Sequence, residues 1–228
     1  TNDAWKNGGA TVWQTPAVDA ELGLLYFATG NPGPDFNGSV RPGDNLYSSS
    51  IVAIEARTGK YRWHFQQVHH DLWDLDSANP VVLFDIQLDG KKRKALVQVG
   101  KNGWAYILDR TNGRPLLGIS EQPVMQEPRQ ATSPTQPVPI GDPVVPQGID
   151  IAPEGFALLT GGNQYTPYWK ERVVNRLAGT NWPPSAYDSE KQLLFVCSSD
   201  RVYFYSTDGD EYEPIAGGDE YYGGSFGN

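Results

Sequence analysis

The segment His69–Asp76 concentrates side chains that can do chemistry. It reads His-His-Asp-Leu-Trp-Asp-Leu-Asp, so three carboxylates and two imidazoles surround one tryptophan directly after a strand-like segment. Tryptophan is rarely placed in an exposed, charged turn unless something covers it or stacks on it. The segment is therefore predicted to line a site; the alternative is a solvated turn between two units of the fold.

The adjacent histidines do not indicate a transition-metal site. Consecutive side chains of a strand point to opposite faces, so His69 and His70 cannot readily share one ion. The chain contains three histidines in all, and His64 is the third. The sequence therefore argues against zinc or copper.

Composition favours an all-β fold. The chain has 228 residues, 39% of them hydrophobic and 12% aromatic, with 25 glycines and 18 prolines that indicate many turns. A net charge of −9 with scattered basic residues excludes a nucleic-acid backbone as an expected partner. Cys197 is the one cysteine, so an internal disulfide is excluded. Neither a signal peptide nor an apolar run long enough for a membrane span is expected in these residues.

Two internal repeats set the predicted architecture. Residues 13–26 match residues 182–195 at Trp, Ala, Asp, Glu and two Leu positions, and both copies predict a strand, an acidic turn and a second strand. Residues 52–63 are echoed by 107–114, where a strand runs into an acidic residue and then a turn ending in glycine. These repeats are typical of propeller blades.

We therefore predict a β-propeller of four-stranded antiparallel blades. Blades are expected near residues 10–66, 76–119 and 181–228, with a proline-rich excursion over 120–155 that lacks regular strands. Three blades cannot close a ring, because propellers have four or more. The chain is accordingly predicted to be a piece of a larger propeller.

Ordered motifs then give a family resemblance. The pattern Ala-x-Glu-x-x-Thr-Gly-x-x-x-Trp ends at Trp63 and resembles the tryptophan-docking motif of the quinoprotein alcohol dehydrogenases, eight-bladed propellers that bind pyrroloquinoline quinone (PQQ). Four further motifs lie around it in the same order as in that family, at residues 30–34, 41–47, 70–74 and 101–103. The resemblance is strong over residues 5–119 and resumes at Asn181.

The resemblance implies a catalytic and a metal-binding role for three residues. Asp74 matches the general base that accepts the proton of the substrate hydroxyl while a hydride passes to the quinone. Asn31 matches a metal ligand, and Asp74 and Asp76 stand with it around the ion. Calcium is the expected metal, with magnesium or a lanthanide as alternatives, because an aspartate at the Asp76 position occurs in both lanthanide and divalent-ion enzymes of this kind. The bland alternative for Asp74 is a turn carboxylate that caps backbone amides.

Four more residues match contacts to the cofactor. Trp13 matches the tryptophan that forms the floor under the planar quinone, although core packing is the alternative for it. Lys101 matches the basic residue at the quinone oxygens. Asn181 and Trp182 align more loosely with residues at the cofactor edge.

The expected function is PQQ-dependent oxidation of an alcohol, sugar or polyol. The resemblance implies a cytochrome c or quinone as electron acceptor, the remaining blades as structural partners, and a periplasmic or otherwise extracytoplasmic location. Two alternatives stay open: a non-catalytic propeller acting as a scaffold or assembly protein, and a carbohydrate-binding propeller. A scaffold has no use for Asn31, Asp74 and Lys101 together, which favours the enzyme.

Overall fold

The computed structural model describes residues 3–149, 154–156, 164–209 and 222–227. Short 3-10 helices lie at Asp3–Asn7, Gly38–Val40 and Pro128–Gln130. The remaining regular structure of the described residues is β-strand: β1 Ala17–Asp19, β2 Leu24–Ala28, β3 Ser50–Glu55, β4 Tyr61–Gln66, β5 Val82–Leu88, β6 Lys91–Val99, β7 Ala105–Asp109, β8 Ile119–Pro123, β9 Thr135–Pro139, β10 Val173–Gly179, β11 Ala186–Asp188, β12 Leu193–Phe195, β13 Ser199–Thr207 and β14 Gly224–Gly227. Within these described residues, no helix is long and apolar enough to cross a membrane.

The strands form separate antiparallel sheets that do not close into a ring. The sheet β1-β2-β3-β4 is a complete four-stranded blade. Three strands follow in the order β5-β6-β7, and the pairs β8-β9 and β11-β12 form two-stranded sheets. This arrangement confirms the all-β prediction and agrees with part of a propeller.

The repeat between residues 13–26 and 182–195 is a repeat of structure. In the first copy, Asp19 Oδ1 accepts hydrogen bonds from the amides of Glu21 and Leu22, both at 3.0 Å. In the second copy, Asp188 Oδ1 accepts the equivalent two bonds at the same distance. The acidic turn predicted from sequence therefore joins β1 to β2 and β11 to β12.

Trp63 docks one sheet on the next. Its indole is buried, and Gly113, in the turn after β7, lies against it so closely that an added Cβ would stand 2.5 Å from the ring. The φ of Gly113 is +76°, which glycine adopts without strain. The tryptophan of the docking motif therefore packs against the glycine turn that follows β7.

Three expectations about strands need correction. The unit predicted at 76–119 has three strands in its sheet, because the fourth, β8, pairs with β9 instead. The excursion at 120–155 therefore contains regular strands. Pro137 and Pro139 take alternate positions of β9, so their missing amide donors fall on one edge of the strand, and proline is tolerated at such an edge.

The third predicted unit, 181–228, is divided between two sheets. Strands β11 and β12 form a hairpin, but β13 pairs with β10 and β14. The register of β13 with β10 runs over seven residue pairs, from Val173↔Tyr205 to Gly179↔Ser199. This long-range pairing outweighs the local continuation of the hairpin.

A hydrophobic cluster of the described residues lies beneath the His69–Asp76 segment. Three residues of that segment belong to the cluster: Leu72, Trp73 and Leu75. The other members are Phe36, Val68, Tyr165, Tyr168, Val173 and Tyr205. Burial of such side chains contributes roughly 1.5–3 kcal/mol each. The segment is thus fixed from below by the core.

Candidate active site

The turn that carries Asp74 is held by Asp71. Asp71 Oδ1 accepts the amide of Trp73 and Oδ2 accepts the amide of Leu75, both at 2.8 Å. Trp73 is 2% exposed, and its Nε1 donates to the carbonyl of Thr166 at 2.8 Å. The expectation that this tryptophan is covered is confirmed. Asp71 therefore caps two backbone amides of this turn.

Asp74, Asp76 and Lys101 form a partly buried cluster. Lys101 Nζ lies 3.1 Å from Asp74 Oδ1 and 2.7 Å from Asp76 Oδ1. The side chains of Lys101 and Asp76 are 10% and 7% exposed, whereas that of Asp74 is 28% exposed. Asp74 is therefore the member of the cluster with the most solvent-accessible side chain.

The environment separates the acidities of the two aspartates. Burial raises the pKa of Asp74, and the charge of Asp76 raises it further against the opposing pull of Lys101. Burial alone would also raise the pKa of Asp76, but the charge of Lys101, hydrogen bonds from Asp74 and Lys101, and the Trp13 indole lower it. When the pKa values of two neighbouring carboxyl groups are pushed apart, one can exchange a proton while the other stays charged.

Trp13 is joined to this cluster through its edge. Its Nε1 donates to Asp76 Oδ2 at 3.0 Å, and the residue remains 45% exposed. A tryptophan packed in a core would be largely buried. The described contacts hold the ring by its polar atom and leave ring surface accessible.

A cavity of about 390 Å³ adjoins Lys101. Its lining includes Lys101, Thr180, Asn181 and Trp182. Trp182 is 61% exposed, and Asn181 Oδ1 accepts the Trp182 amide at 2.9 Å. Three residues predicted from sequence to contact one ligand therefore share one cavity.

Gly179 allows the Lys101 turn to approach the end of β10. Its φ is +149°, and an added Cβ would lie 2.5 Å from the Gly100 carbonyl oxygen and 2.7 Å from that of Lys101. A larger residue would displace the turn. The glycine at this position fixes Lys101 beside the cavity.

Asn31 lies next to the cluster, in the loop between β2 and β3. Its neighbour Gly30 packs against Asp76, with an added Cβ 3.3 Å from Asp76 Oδ2. Asn31 Nδ2 donates to the Pro32 carbonyl at 3.4 Å, and Asp35, one position beyond the motif at residues 30–34, is an acidic neighbour that sequence reasoning missed. Burial raises the pKa of Asp35, and the nearby Asn31 side chain opposes the rise.

The oxygen donors of Asn31, Asp74 and Asp76 suit a hard cation, which prefers carboxylate and amide oxygens. Over the described residues, no group of three His, Cys, Asp or Glu side chains has metal-binding spacing. A cation with six to eight ligands would need donors beyond these three. The residues fit part of a calcium-type shell.

The two adjacent histidines are engaged elsewhere. The ring nitrogens of His70 lie 2.7 Å from the carbonyl oxygens of Gly43 and Gln130. His69 Nδ1 lies 2.8 Å from Gln66 Oε1. These bonds agree with the expectation that the pair does not share a metal.

Comparison with known proteins agrees with this geometry. Residues 1–220 match the family model described as PQQ, the β-propeller domain of glucose, ethanol and alcohol dehydrogenases. The chain belongs to this family. Because the match takes in almost the whole chain, the predicted resemblance is confirmed as family membership.

Individual PQQ-family proteins are similar to the chain over different lengths. Quinoprotein alcohol dehydrogenase PedH of Pseudomonas putida is 35% identical over 198 residues, 87% of this chain and 31% of PedH. Lanthanide-dependent methanol dehydrogenase of Methylorubrum extorquens is 40% identical over 123 residues, 54% of this chain and 20% of that protein.

A solved structure gives the same picture. The quinohemoprotein alcohol dehydrogenase ADHIIG from Pseudomonas putida HK5 superposes with a TM-score of 0.68 and 26% identity, over 100% of this chain and 31% of that one. The chain thus spans about a third, or less, of the length of these PQQ-family relatives.

Proposed function

We propose that the protein carrying this chain is a PQQ-dependent dehydrogenase that oxidises an alcohol, sugar or polyol. The observation that supports this most is the cluster of Asp74, Asp76 and Lys101 between the exposed Trp13 and a cavity lined by Asn181 and Trp182. Such a site combines a base, a buried cation and flat aromatic surface. Planar anionic ligands match these features.

The residues fit the quinone in shape and charge. When bound, PQQ accepts a hydride from the substrate carbon, and the accompanying cation polarises a quinone carbonyl. Trp13 offers ring surface for stacking, because the residue is exposed. The bond from its Nε1 to Asp76 holds the ring in place. Lys101 keeps a positive charge in a site with little water, where it stabilises negative charge more strongly than in solvent.

Asp74 is the proposed general base. It is the most exposed member of the cluster, and Lys101 orients its carboxylate through one oxygen. The Asp74 carboxylate would accept the proton of the substrate hydroxyl as the carbon loses its hydride. General bases of this kind contribute typically 10²–10⁴-fold to a rate.

Asn31, Asp74 and Asp76 are the residues proposed to hold the cation. We propose calcium as the metal, because carboxylate and amide oxygens are ligands that calcium prefers. Magnesium and a lanthanide are the alternatives, and the lanthanide is included because one relative is named as lanthanide-dependent. The two carboxylates carry more negative charge than a neutral site, which favours a multivalent ion.

The proposal extends to the partners and the location of the complete protein. Electrons would pass to a cytochrome c or a quinone, the remaining blades would close the propeller, and the site of action would be periplasmic or otherwise extracytoplasmic. A non-catalytic scaffold is the alternative. The contacts of Asp74 and Asp76 with Lys101, which itself lines the cavity, favour the enzyme, since a scaffold has no need of buried charge at that place.

The decisive experiment is dye-linked oxidation of primary alcohols, glycerol and glucose by the complete protein. PQQ would be added with calcium, magnesium or lanthanum in parallel, and an assay without PQQ serves as the blank. We expect turnover that needs both PQQ and one of these ions. Folded protein that binds no PQQ and oxidises none of the substrates would favour the scaffold.

A further inference from the structure

Arg41 is a buried charged residue outside the cluster described above. It is 1% exposed although it lies in a loop, between the 3-10 helix Gly38–Val40 and β3. Burying a guanidinium is costly unless its donors are satisfied. The bonds of Arg41 therefore indicate what the fold gains from it.

The Arg41 guanidinium bonds both loops of the candidate site. Toward the loop that carries Asn31, its Nε donates to the Pro34 carbonyl at 3.1 Å and Nη2 to the Asp35 carbonyl at 3.3 Å. Toward the loop that carries Asp74, Nη2 donates to the Asp71 carbonyl at 2.6 Å. A single rigid group thus sets the spacing of the two loops.

Arginine is required for this geometry. The guanidinium is planar and presents donors in three directions, whereas the single nitrogen of lysine cannot reach carbonyls on opposite sides. Asn45 Oδ1 accepts from Nη1 at 2.6 Å and orients the group. The acceptors that Arg41 bonds in the two site loops are main-chain carbonyls, so the bonds fix backbone rather than side chains.

We propose that Arg41 is a positioning residue that holds the metal-binding loop of Asn31 at a fixed distance from the loop of Asp74. The inference rests on the proposed function, because the spacing matters only when one ion and one substrate must contact both loops. Displacements of about 1 Å at such sites can cost on the order of 10²-fold in rate.

The test compares two conservative variants in the complete protein. Arg41→Lys keeps the charge and loses the fork. Arg110→Lys is the matched control, since Arg110 is 7% exposed, equally well bonded, and placed between β1, β5 and β6 away from the cavity. Calcium would be titrated into protein with PQQ, with quinone absorbance as readout, and thermal denaturation and kcat would be measured beside it.

We expect Arg41→Lys to raise the calcium concentration for half-maximal PQQ binding by about tenfold and to lower kcat by about 10–100-fold. Arg110→Lys should lower Tm and leave both quantities within about twofold of wild type. Equal calcium requirement and equal kcat in Arg41→Lys and Arg110→Lys would overturn the proposal. Wild-type protein that binds no PQQ would overturn the proposed function, and this inference with it.

Asn45→Gly decides the question if Arg41→Lys does not fold. The φ of Asn45 is +58°, so glycine takes this backbone without strain while the bond that orients Arg41 is lost. A raised calcium requirement in Asn45→Gly, smaller than for Arg41→Lys, supports positioning. An unchanged requirement contradicts it.

Discussion

The Lys101 and Arg110 clusters share one composition, a buried cation between two aspartates, and differ in how completely their atoms are bonded. Arg110 donates to Asp19 at 2.7 Å and to Asp85 at 2.9 Å, and also to the carbonyls of Phe84 and Ala95. The second oxygen of Asp19 accepts two backbone amides. This cluster is bonded through the oxygens of Asp19 and the donors of Arg110.

The Lys101 cluster contains one carboxyl group, that of Asp74, with a raised pKa. Burial, followed by the charge of Asp76, raises the pKa of Asp74, whereas the bonds made to Asp19 outweigh its burial and lower its pKa. A cluster whose charged atoms are fully hydrogen-bonded stabilises the fold. A cluster that holds a carboxyl group of raised pKa beside a cavity is instead a candidate for catalysis. The comparison teaches that bonding, rather than composition, separates a structural cluster from a candidate site.

Asp74→Asn should give the largest effect. The amide keeps the shape of the carboxylate and cannot accept a proton, so kcat of the complete protein should fall by about 10³-fold. Tm should not fall, because the raised pKa of Asp74 means that ionisation at this position opposes folding. Steady-state kinetics and thermal denaturation measure the two quantities.

Asp19→Asn is the matched control for that substitution. It removes the equivalent acid of the Arg110 cluster, so Tm should fall while kcat stays within about twofold. If kcat falls in both variants by similar factors, the division between the clusters is wrong.

Arg110→Met should produce the largest loss of stability. It leaves Asp19 buried beside no cation, and breaking such a pair costs about 3 kcal/mol. Denaturant unfolding would measure the loss, and PQQ affinity should persist in the folded variant. Stability equal to wild type would mean that the Arg110 cluster is not structural.

Gly113→Ala should cost less, by steric contact alone. The added Cβ meets the Trp63 ring at 2.5 Å. Gly59→Ala is the control, because its φ is +72° and nothing lies within 4 Å of an added Cβ. Both variants should lose about 1 kcal/mol of stability through the left-handed backbone, and Gly113→Ala should lose about 1 kcal/mol more through overpacking. Equal losses would show that the docked packing contributes nothing.

The smallest effect is a pH dependence. The pKa of Asp19 lies below the ordinary aspartate value of 3.8, because bonds from the Leu22 amide and from Arg110 outweigh its burial. As pH falls, the unfolded chain takes up the proton first, so the stabilisation present above about pH 4 is lost through the lower pKa of the folded state. Unfolding free energy should therefore decrease between pH 5 and 3 more steeply in wild type than in Asp19→Asn; parallel curves would contradict the assignment.

Local chemistry made the hairpins predictable from sequence. The acidic turns at Asp19 and Asp188 and the glycine turns at Gly59 and Gly113 depend on a few adjacent residues, so the repeat shows them directly. The pairings β8-β9 and β10-β13 join residues far apart or rich in proline, and nothing within a short window encodes them.

In the candidate site, too, local motifs could be predicted from the sequence and long-range contacts could not. Residues placed by motif, such as Asp74 and Lys101, could be named from the resemblance, but the 2.7 Å contact of Lys101 with Asp76 spans 25 positions. The two pKa values are separated by the burial of Asp74 and by the contacts of Asp76 with Lys101 and Trp13, which only the folded arrangement supplies. Arg41 was visible as part of a motif, whereas its bonds to both loops were not.

The most direct test of the central claim is a crystal structure of the complete protein with PQQ and calcium. We predict that the quinone lies on the face of Trp13, with Lys101 Nζ within hydrogen-bonding distance of a quinone oxygen and Asp74 turned toward the substrate side. A quinone bound away from Trp13 and Lys101 would contradict it.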